Sequence, residues 1–260
     1  MTLEEIQAGQ VICIDKPYQW TSFQAVNKVK AYIRRTYDVK KFKIGHAGTL
    51  DPLATGLLLV CVGKATKTIP QLQDGEKIYT GTMVLGATTP CYDLEQAIDA
   101  YYETAQITPE LIEEKRKEFL GDIAQVPPMF SAVKIDGQRA YEYARKDDPT
   151  VKIEPKMVHI EEFEVGNLRL SDGSPIEELK LDETHNHKYD HPEGVVPAGM
   201  PLLDFRVRCG KGTYIRSLAR DFGIALGSGA FLSALRREQV GNYQISQAVT
   251  IDHINSFFEN

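Results

Sequence analysis

Residues 57–62 form an unbroken run of apolar side chains, and no other segment restricts the possible folds as strongly. The sequence Leu57-Leu58-Leu59-Val60-Cys61-Val62 shows no alternation of polar and apolar residues. A run of this length is typical of a strand that is buried on both faces and is far too short to cross a bilayer. It therefore predicts the central strand of a sheet.

Other segments predict strands and helices that do not alternate strictly. Strands are predicted at residues 11–14, 77–85, 131–135 and 203–209. Helices are predicted from Ser22 as N-cap, from Thr108-Pro109 to Gly121, and from Ile215 to Gly227, the first with Phe23, Val26, Val29 and Ile33 on its buried face. This mixture predicts the α+β class, with a central, largely antiparallel mixed sheet flanked by helices.

The composition is that of an ordinary globular protein, with 42% hydrophobic and 25% charged residues in a chain of 260. Residues 1–5 are acidic where a signal peptide would be basic, so we expect a cytoplasmic protein. The cysteines form no C-x-x-C pair and are predicted to be buried, reduced thiols. They are Cys13, Cys61, Cys91 and Cys209.

The net charge of −6 by itself argues against a nucleic-acid partner, but the charges are segregated along the chain. Basic residues concentrate in segments 28–43 and 206–237, whereas acidic residues concentrate in 93–118 and 161–204. Such segregation can create a positive face that attracts a phosphate backbone. Two solvated helix faces are the alternative interpretation.

Residues 172–201 are rich in glycine, proline and acidic side chains without a clear period, which predicts an exposed acidic insertion. Its His185, His187 and His191 could be interpreted as metal ligands. The segment has no cysteine and no helical frame, so we predict a solvated loop and no metal site.

The most informative stretch of the chain is Gly45-His46-Ala47-Gly48-Thr49-Leu50-Asp51-Pro52-Leu53-Ala54-Thr55-Gly56. Its glycines permit unusual backbone angles, and Pro52 restricts Asp51 to an extended conformation. A stiff loop should therefore present one carboxylate just before the buried strand. From these residues alone, it could be an active-site loop or a structural turn closed by an Asx hydrogen bond.

This segment resembles the catalytic motif of the TruB family of tRNA pseudouridine synthases, which is close to G-H-x-G-x-L-D-P-x-A-x-G. The likeness extends in order over about residues 11–254, and the ordered set is far more specific than any one motif. The other matching segments are residues 14–17, 77–79, 127–134, 140–145, 211–216 and 235–237.

The resemblance implies a pseudouridine-synthase catalytic fold, with residues 1–260 forming a single catalytic domain and no C-terminal PUA domain. It implies an isomerase that converts uridine to pseudouridine in the T loop of tRNA, at position 55. The target base would be flipped out and the nucleoside attacked by an aspartate. Because no redox or group-transfer step is involved, no cofactor is expected. The implied partner is the T arm of tRNA, and we expect a monomer with no membrane contact and no obligate protein partner.

By this resemblance, Asp51 matches the catalytic aspartate, and Arg216 matches the arginine that pairs with it and favours its charged form. Attack on the ribose C1′, attack on the base C6 and a glycal-like intermediate all remain open. A phosphate contact or a surface ion pair is the alternative role for Arg216.

The resemblance also implies residues that bind the substrate. Tyr79 would stack on the flipped base, Tyr214 and Leu235 would line the uridine pocket, and His46 would hold the everted T loop. Packing in the core is the alternative for Tyr79, Tyr214 and Leu235, and stabilisation of the loop is the alternative for His46. Nonspecific contacts to RNA phosphates are expected from Lys16, Lys28, Arg34 and Lys43.

Three other functions remain open at this point. The chain could be an RNA-binding or tRNA-folding protein without isomerase activity, although it retains Asp51, Tyr79 and Arg216. It could be a glycosidase or nucleoside hydrolase, although no motif supplies the second carboxylate that such enzymes need. It could also be a synthase of the same family that acts on a different uridine.

Overall fold

The structure is a computed structural model that describes residues 2–131, 133–135, 137–144, 153–174 and 196–259. The strands in chain order are β1 (Gln10–Lys16), β2 (Ile44–Ala47), β3 (Thr55–Val62), β4 (Lys77–Leu85), β5 (Ala87–Thr88), β6 (Ala100–Tyr101), β7 (Gly121–Gln125), β8 (Lys134–Ile135), β9 (Gln138–Arg139), β10 (Lys156–Leu170), β11 (Pro201–Cys209), β12 (Ala230–Val240), β13 (Tyr243–Gln244) and β14 (Val249–Thr250). The α-helices are α1 (Leu3–Ala8), α2 (Ser22–Thr36), α3 (Ile69–Asp74), α4 (Pro109–Arg116), α5 (Ala140–Ala144), α6 (Ile215–Ala225) and α7 (Ile254–Glu259).

The chain divides into two compact units, of which the first contains Met1–Tyr79 and Leu235–Asn260. Its central strand is β3, which pairs antiparallel with β1 along one edge. Along the other edge, β3 pairs parallel with β12 at residues 55–56 and antiparallel with β2 at residues 59–62. The loop of residues 48–54, which joins β2 to β3, therefore lies where β3 changes partner.

Both faces of β3 are buried, which confirms the prediction of a central strand. Leu58, Val60 and Val62 pack in one cluster with the apolar face of α2. Leu57 and Leu59 point to the opposite face and pack in a second cluster. Because successive side chains of a strand alternate between its faces, an unbroken apolar run is what two such clusters require.

Helix α2 forms as predicted, but its cap and one residue of its buried face differ from the prediction. The N-cap is Thr21, whose hydroxyl accepts the Gln24 N–H while the Gln24 side chain accepts the Thr21 N–H. Phe23 is 69% exposed. The buried stripe starts at Ser22, and Phe23 lies about 100° around the helix from it.

The second unit contains Thr80–Ala234, with the strand order β12–β4–β11–β10–β7. Strand β10 pairs antiparallel with β11 and with β7. The rings of Phe119, Phe163 and Phe222 meet edge to face in its core. Every second residue of β11 from Leu203 to Cys209 is buried, as predicted from its alternation.

Helix α4 has the predicted N-cap, Thr108, but ends at Arg116 rather than at Gly121. A 3-10 turn follows at Lys117–Phe119, and Gly121 is the first residue of β7. The charged pattern on which the prediction rested continues through the turn, so the sequence does not show where the α-helix stops.

The α+β class with a largely antiparallel mixed sheet is confirmed. In that sheet, β3 pairs antiparallel with β1 and β2, β10 with β7 and β11, and β12 with β13, whereas β1 pairs parallel with β14 and β3 with β12. All four cysteines are buried free thiols, as predicted. The single catalytic domain stays a prediction. Residues 175–195, which form most of the predicted insertion and include its histidines, lie outside the described residues. In the described part of the chain, no helix has the length and apolarity needed to span a membrane.

Candidate active site

The 48–54 loop presents Asp51 between two buried anchors. Leu50 and Ala54 are 4% and 2% exposed and belong to the same core cluster as α2, whereas Asp51 is half-buried. The Ala54 N–H donates to the Asp51 carbonyl at 3.1 Å, which closes a turn with Pro52 as its second residue. The loop is shorter than the predicted 45–56 segment, because residues 45–47 and 55–56 pair as strands.

Ser22 connects this loop to the first turn of α2. Its buried hydroxyl accepts the Leu50 N–H at 2.9 Å and donates to the Leu50 carbonyl at 3.2 Å. Both polar groups of the residue that precedes Asp51 are therefore satisfied by one side chain. The orientation of Asp51 thus depends on the position of α2.

Lys16 approaches the loop from the end of β1 and is fully buried. Its ammonium donates to the carbonyl oxygens of Pro17, Trp20 and Pro52 at 3.0, 2.5 and 3.2 Å. Burial lowers the pKa of Lys16 to about 8, although the nearby Asp51 carboxylate acts in the opposite direction. This arrangement argues against the predicted contact of Lys16 with RNA phosphate, because its ammonium is enclosed and its three donors are used within the protein.

Arg237 of β12 contacts the loop from a third side and was not identified as a site residue from the sequence. Its side chain is 1% exposed, and it donates to the carbonyls of Leu57 and Gly48 at 2.8 and 3.0 Å. The backbones also come very close, because a Cβ added to Gly56 would lie 2.4 Å from the Arg237 carbonyl oxygen. Only glycine fits at Gly56, where φ is also +98°.

His46 lies on β2 just before the loop. Burial, and then the positive charge of Arg237, lower the pKa of its imidazole, whereas a hydrogen bond with the Gly48 backbone raises it. Its Nδ1 is buried and contacts no hydrogen-bonding group among the described residues. A neutral imidazole close to the loop is compatible with either predicted role, loop stabilisation or contact with RNA.

Two of the sequence motifs meet in the first unit through Asp15 and Arg236, which are 221 positions apart in the chain. Arg236 holds Asp15 with two hydrogen bonds, from Nη1 at 3.0 Å and from Nη2 at 2.8 Å. Arg236 Nε also lies 3.5 Å from the Glu238 carboxylate. This two-bond pair spans β3, because β1 and β12 pair with its opposite edges.

Tyr79 and Leu235 are partly buried and pack against the core cluster that contains Leu50 and Ala54. Tyr79 lies on β4, and Leu235 lies on β12 two residues before Arg237. Their bodies are therefore supported by the same core as the 48–54 loop. Part of each side chain remains exposed, unlike a residue that only fills the core.

In the second unit, Arg216 lies in the first turn of α6 and is 4% exposed. It donates to the carbonyls of Cys91 and Phe130 at 3.0 and 2.8 Å, and its Nε lies 3.6 Å from the Asp93 carboxylate. Such burial argues against the alternative of a surface ion pair. The sequence did not single out Asp93, because its segment has no recognisable motif.

Tyr214 is the N-cap residue of α6, and its backbone N–H donates to the side chain of Gln125 at 2.8 Å. The adjacent Val126 carbonyl accepts from Ser217 of the same helix at 2.8 Å. The start of α6, which carries Tyr214 and Arg216, is thus held by the end of β7 and the residue that follows it. Tyr214 itself is half-buried.

Lys28 and Arg34 of α2 and Lys43 before β2 are all exposed, as their predicted role requires. Lys43 also lines a cavity of about 300 Å³. The described residues around this cavity include no carboxylate and are Gln7, Lys41, Phe42, Lys43, Gly63, Lys64, Thr66 and Lys67. No group of three or more potential metal ligands occurs in the described part of the chain.

Family models match the whole length from residue 34 to the last residue. Residues 34–215 match the TruB family pseudouridylate synthase N-terminal domain, and residues 216–260 match the tRNA pseudouridylate synthase B C-terminal domain. A tRNA pseudouridine synthase B from Flavobacterium johnsoniae is 50% identical over 252 residues, which are 96% of each chain. A protein of the same name from Phocaeicola vulgatus is 45% identical over 94% of this chain and 91% of its own length.

Solved structures share the fold. A crystal structure of a Cbf5–Nop10–Gar1 complex contains a chain that superposes with a TM-score of 0.62 at 28% identity. The match covers 98% of the present chain but only 56% of that one. A chain of an archaeal box H/ACA Nop10–Cbf5 complex superposes with a TM-score of 0.60 at 26% identity and is covered over 57% of its length.

Proposed function

The chain belongs to the TruB family of pseudouridylate synthases, and from this premise we propose that it isomerises uridine to pseudouridine in the T loop of tRNA, at position 55. The observation that carries the proposal is the 48–54 loop, which presents the Asp51 carboxylate and is held from three sides by Ser22, Lys16 and Arg237. A loop anchored so tightly suits a group that must meet a reacting atom in a fixed orientation.

The reaction breaks the C1′–N1 glycosidic bond, rotates the freed base and forms a C1′–C5 bond. C5 loses a proton and N1 gains one, so substrate and product have the same composition. Asp51 is the proposed nucleophile, and all three routes, through C1′, C6 or a glycal, use its ionised carboxylate. The enzyme is therefore an isomerase, and its chemistry requires no electron carrier or phosphoryl donor.

Arg216 is proposed to be the electrostatic partner of the Asp51 carboxylate. A guanidinium that is already oriented by two carbonyls and a carboxylate loses little freedom when it meets a further anion. A preorganised positive group of this kind stabilises charge in a site from which water is excluded.

The target uridine must leave its stack in the T loop, which costs a few kcal/mol. We propose that Tyr79 stacks on the flipped base, with Tyr214 and Leu235 lining its pocket and His46 holding the everted loop. The half-buried positions of Tyr79 and Leu235 support this, because each side chain is fixed by the core and still presents a surface. Contacts with a flat ring return part of the unstacking energy.

The T arm is proposed to lie along exposed basic side chains that include Lys28, Arg34 and Lys43. The lysines around the cavity beside Lys43 extend the same charge and would contact phosphates without reading sequence. This would allow an acidic protein to bind RNA as a monomer, without an obligate protein partner, in the cytoplasm.

The proposal is tested with purified protein and unmodified tRNA, incubated without any cofactor, followed by mapping of pseudouridine by mass-shift labelling. We expect one modified uridine in the T loop for the natural chain and none for Asp51→Asn. The variant should still fold and bind tRNA, as measured by circular dichroism and filter binding. Normal turnover by Asp51→Asn would refute the nucleophile, and modification of a different uridine would refute the target. Binding of tRNA without any modification would instead support an RNA-binding protein.

A further inference from the structure

Arg237 contacts both ends of the segment that carries Asp51. Its Nη2 donates to the carbonyl of Gly48, three residues before Asp51, and its Nε donates to the carbonyl of Leu57, six residues after it. The backbone of Arg237 lies opposite Gly56 in the parallel pairing of β12 with β3. One residue therefore holds the entry and exit of the loop at a fixed separation.

The charge of Arg237 is also unusual for a side chain that is 1% exposed. In the described part of the chain, the groups that its guanidinium contacts are backbone carbonyls rather than a carboxylate. Buried charges are normally paired, because transfer of an ion from water into a protein costs several kcal/mol. An apolar residue could fill the volume without this cost, so the buried guanidinium indicates a role beyond packing.

This charge reaches the groups around the loop. The positive charge of Arg237 contributes, after burial, to the lowered pKa of His46 and also opposes protonation of Lys16. With Lys16, it gives two buried cations beneath the loop that presents the Asp51 carboxylate. Positive charge is therefore concentrated beside the segment that carries residue 51.

We propose that Arg237 is a positioning residue for the isomerisation: by bridging the Gly48 and Leu57 carbonyls, it fixes the orientation of Asp51, and its buried charge acts on the groups that pack around the loop. This inference rests on the proposed role of Asp51. It assigns to Arg237 no contact with RNA, because its side chain is enclosed by the protein.

The test compares Arg237→Met, which removes the charge and both donated bonds, with Arg237→Lys, which retains the charge but cannot form the planar two-carbonyl bridge. The matched control is Arg169→Met, because Arg169 also donates to a backbone carbonyl and lies in the second unit, where it pairs with Asp204. Single-turnover rates and tRNA dissociation constants are measured for each protein.

We expect the single-turnover rate of Arg237→Met to fall by about 100-fold, the effect of a displaced reacting group, while its tRNA affinity changes by less than about threefold. Arg237→Lys should recover part of this loss, and Arg169→Met should keep the natural rate. The pKa of His46, followed by NMR and assigned with His46→Gln, should rise in Arg237→Met and stay low in Arg237→Lys. A purely structural role would not separate the two variants in this way.

A folded Arg237→Met with the natural rate would overturn the proposal, as would equal losses of rate and affinity. An unchanged His46 pKa in that variant would refute the electrostatic part. If Arg237→Met does not fold, Arg237→Lys decides the matter, because a natural rate in that variant shows that the bridge is dispensable. Asp51→Asn is measured beside them, so that an active Asp51→Asn assigns the failure to the proposed function rather than to Arg237.

Discussion

Replacement of Ser22 by alanine should lower both the stability of the first unit and the rate of the reaction. The hydroxyl is the acceptor for the Leu50 N–H and a donor to the Leu50 carbonyl, and both residues are buried. Alanine leaves the amide without a partner in a site closed to water. Because Leu50 directly precedes Asp51, the loop can satisfy the amide only by moving the carboxylate.

The magnitude follows from these two bonds. A buried amide without a partner costs about 1–3 kcal/mol. Loss of the bond from Ser22 to the Leu50 carbonyl costs less, because this bond is the longer of the two, at 3.2 Å. We expect a loss of about 2 kcal/mol in the free energy of unfolding, measured by urea denaturation with the fluorescence of the only tryptophan, Trp20. A shift of Asp51 by an ångström should lower the single-turnover rate by about 10- to 100-fold.

Thr21→Val is the matched control for Ser22→Ala. Thr21 is the N-cap of α2, and its side chain bonds to Gln24 of the helix rather than to the loop. Loss of this capping hydroxyl costs about 1 kcal/mol. Its rate should therefore stay at the natural value despite the lower stability. If Ser22→Ala keeps the natural rate, or if both variants lose rate in proportion to stability, the loop is not held by Ser22 in the way described.

Two further predictions concern charged groups. Arg216→Ala should lower the single-turnover rate by about 100-fold and weaken tRNA binding much less, because the guanidinium is buried rather than exposed to phosphates. Equal losses of turnover rate and of tRNA affinity, the latter measured by filter binding, would show that Arg216 is a phosphate contact. The lowered pKa of His46 means that the unfolded chain binds its proton more readily, so stability should fall as the pH drops below 6.5. This decrease, measured by urea denaturation at several pH values, should be smaller in His46→Gln, and an identical decrease would show that His46 does not contribute.

Elements whose burial pattern is local were predictable from the sequence. The unbroken run of β3 and the alternation in β11 specify how each strand is covered, and both were confirmed. Helix α2 was also predicted, but Phe23 was placed on the wrong face. The pattern counts apolar residues and does not show which of two neighbouring positions faces a core that other segments build.

The position of Lys16 was not predictable, because the sequence shows a basic residue next to a proline and not the enclosure around it. Its burial depends on carbonyls of residues 17, 20 and 52, which converge only when β1, α2 and the loop are assembled. A charge with three acceptors inside the protein has no need of a phosphate.

By itself, the sequence determined the α+β class, strand β3 after the loop, the family and the carboxylate at residue 51. Each of these depends on residue types that stand close together within segments of the chain. Only the tertiary structure decided what holds that carboxylate in place. Arg237 contacts Gly48 from 189 positions away, and such a contact depends on the pairing of β12 with the first residues of β3. Hydrogen bonds act over about 3 Å in space whatever the separation along the chain, so residues that stabilise a site are often invisible in its motif.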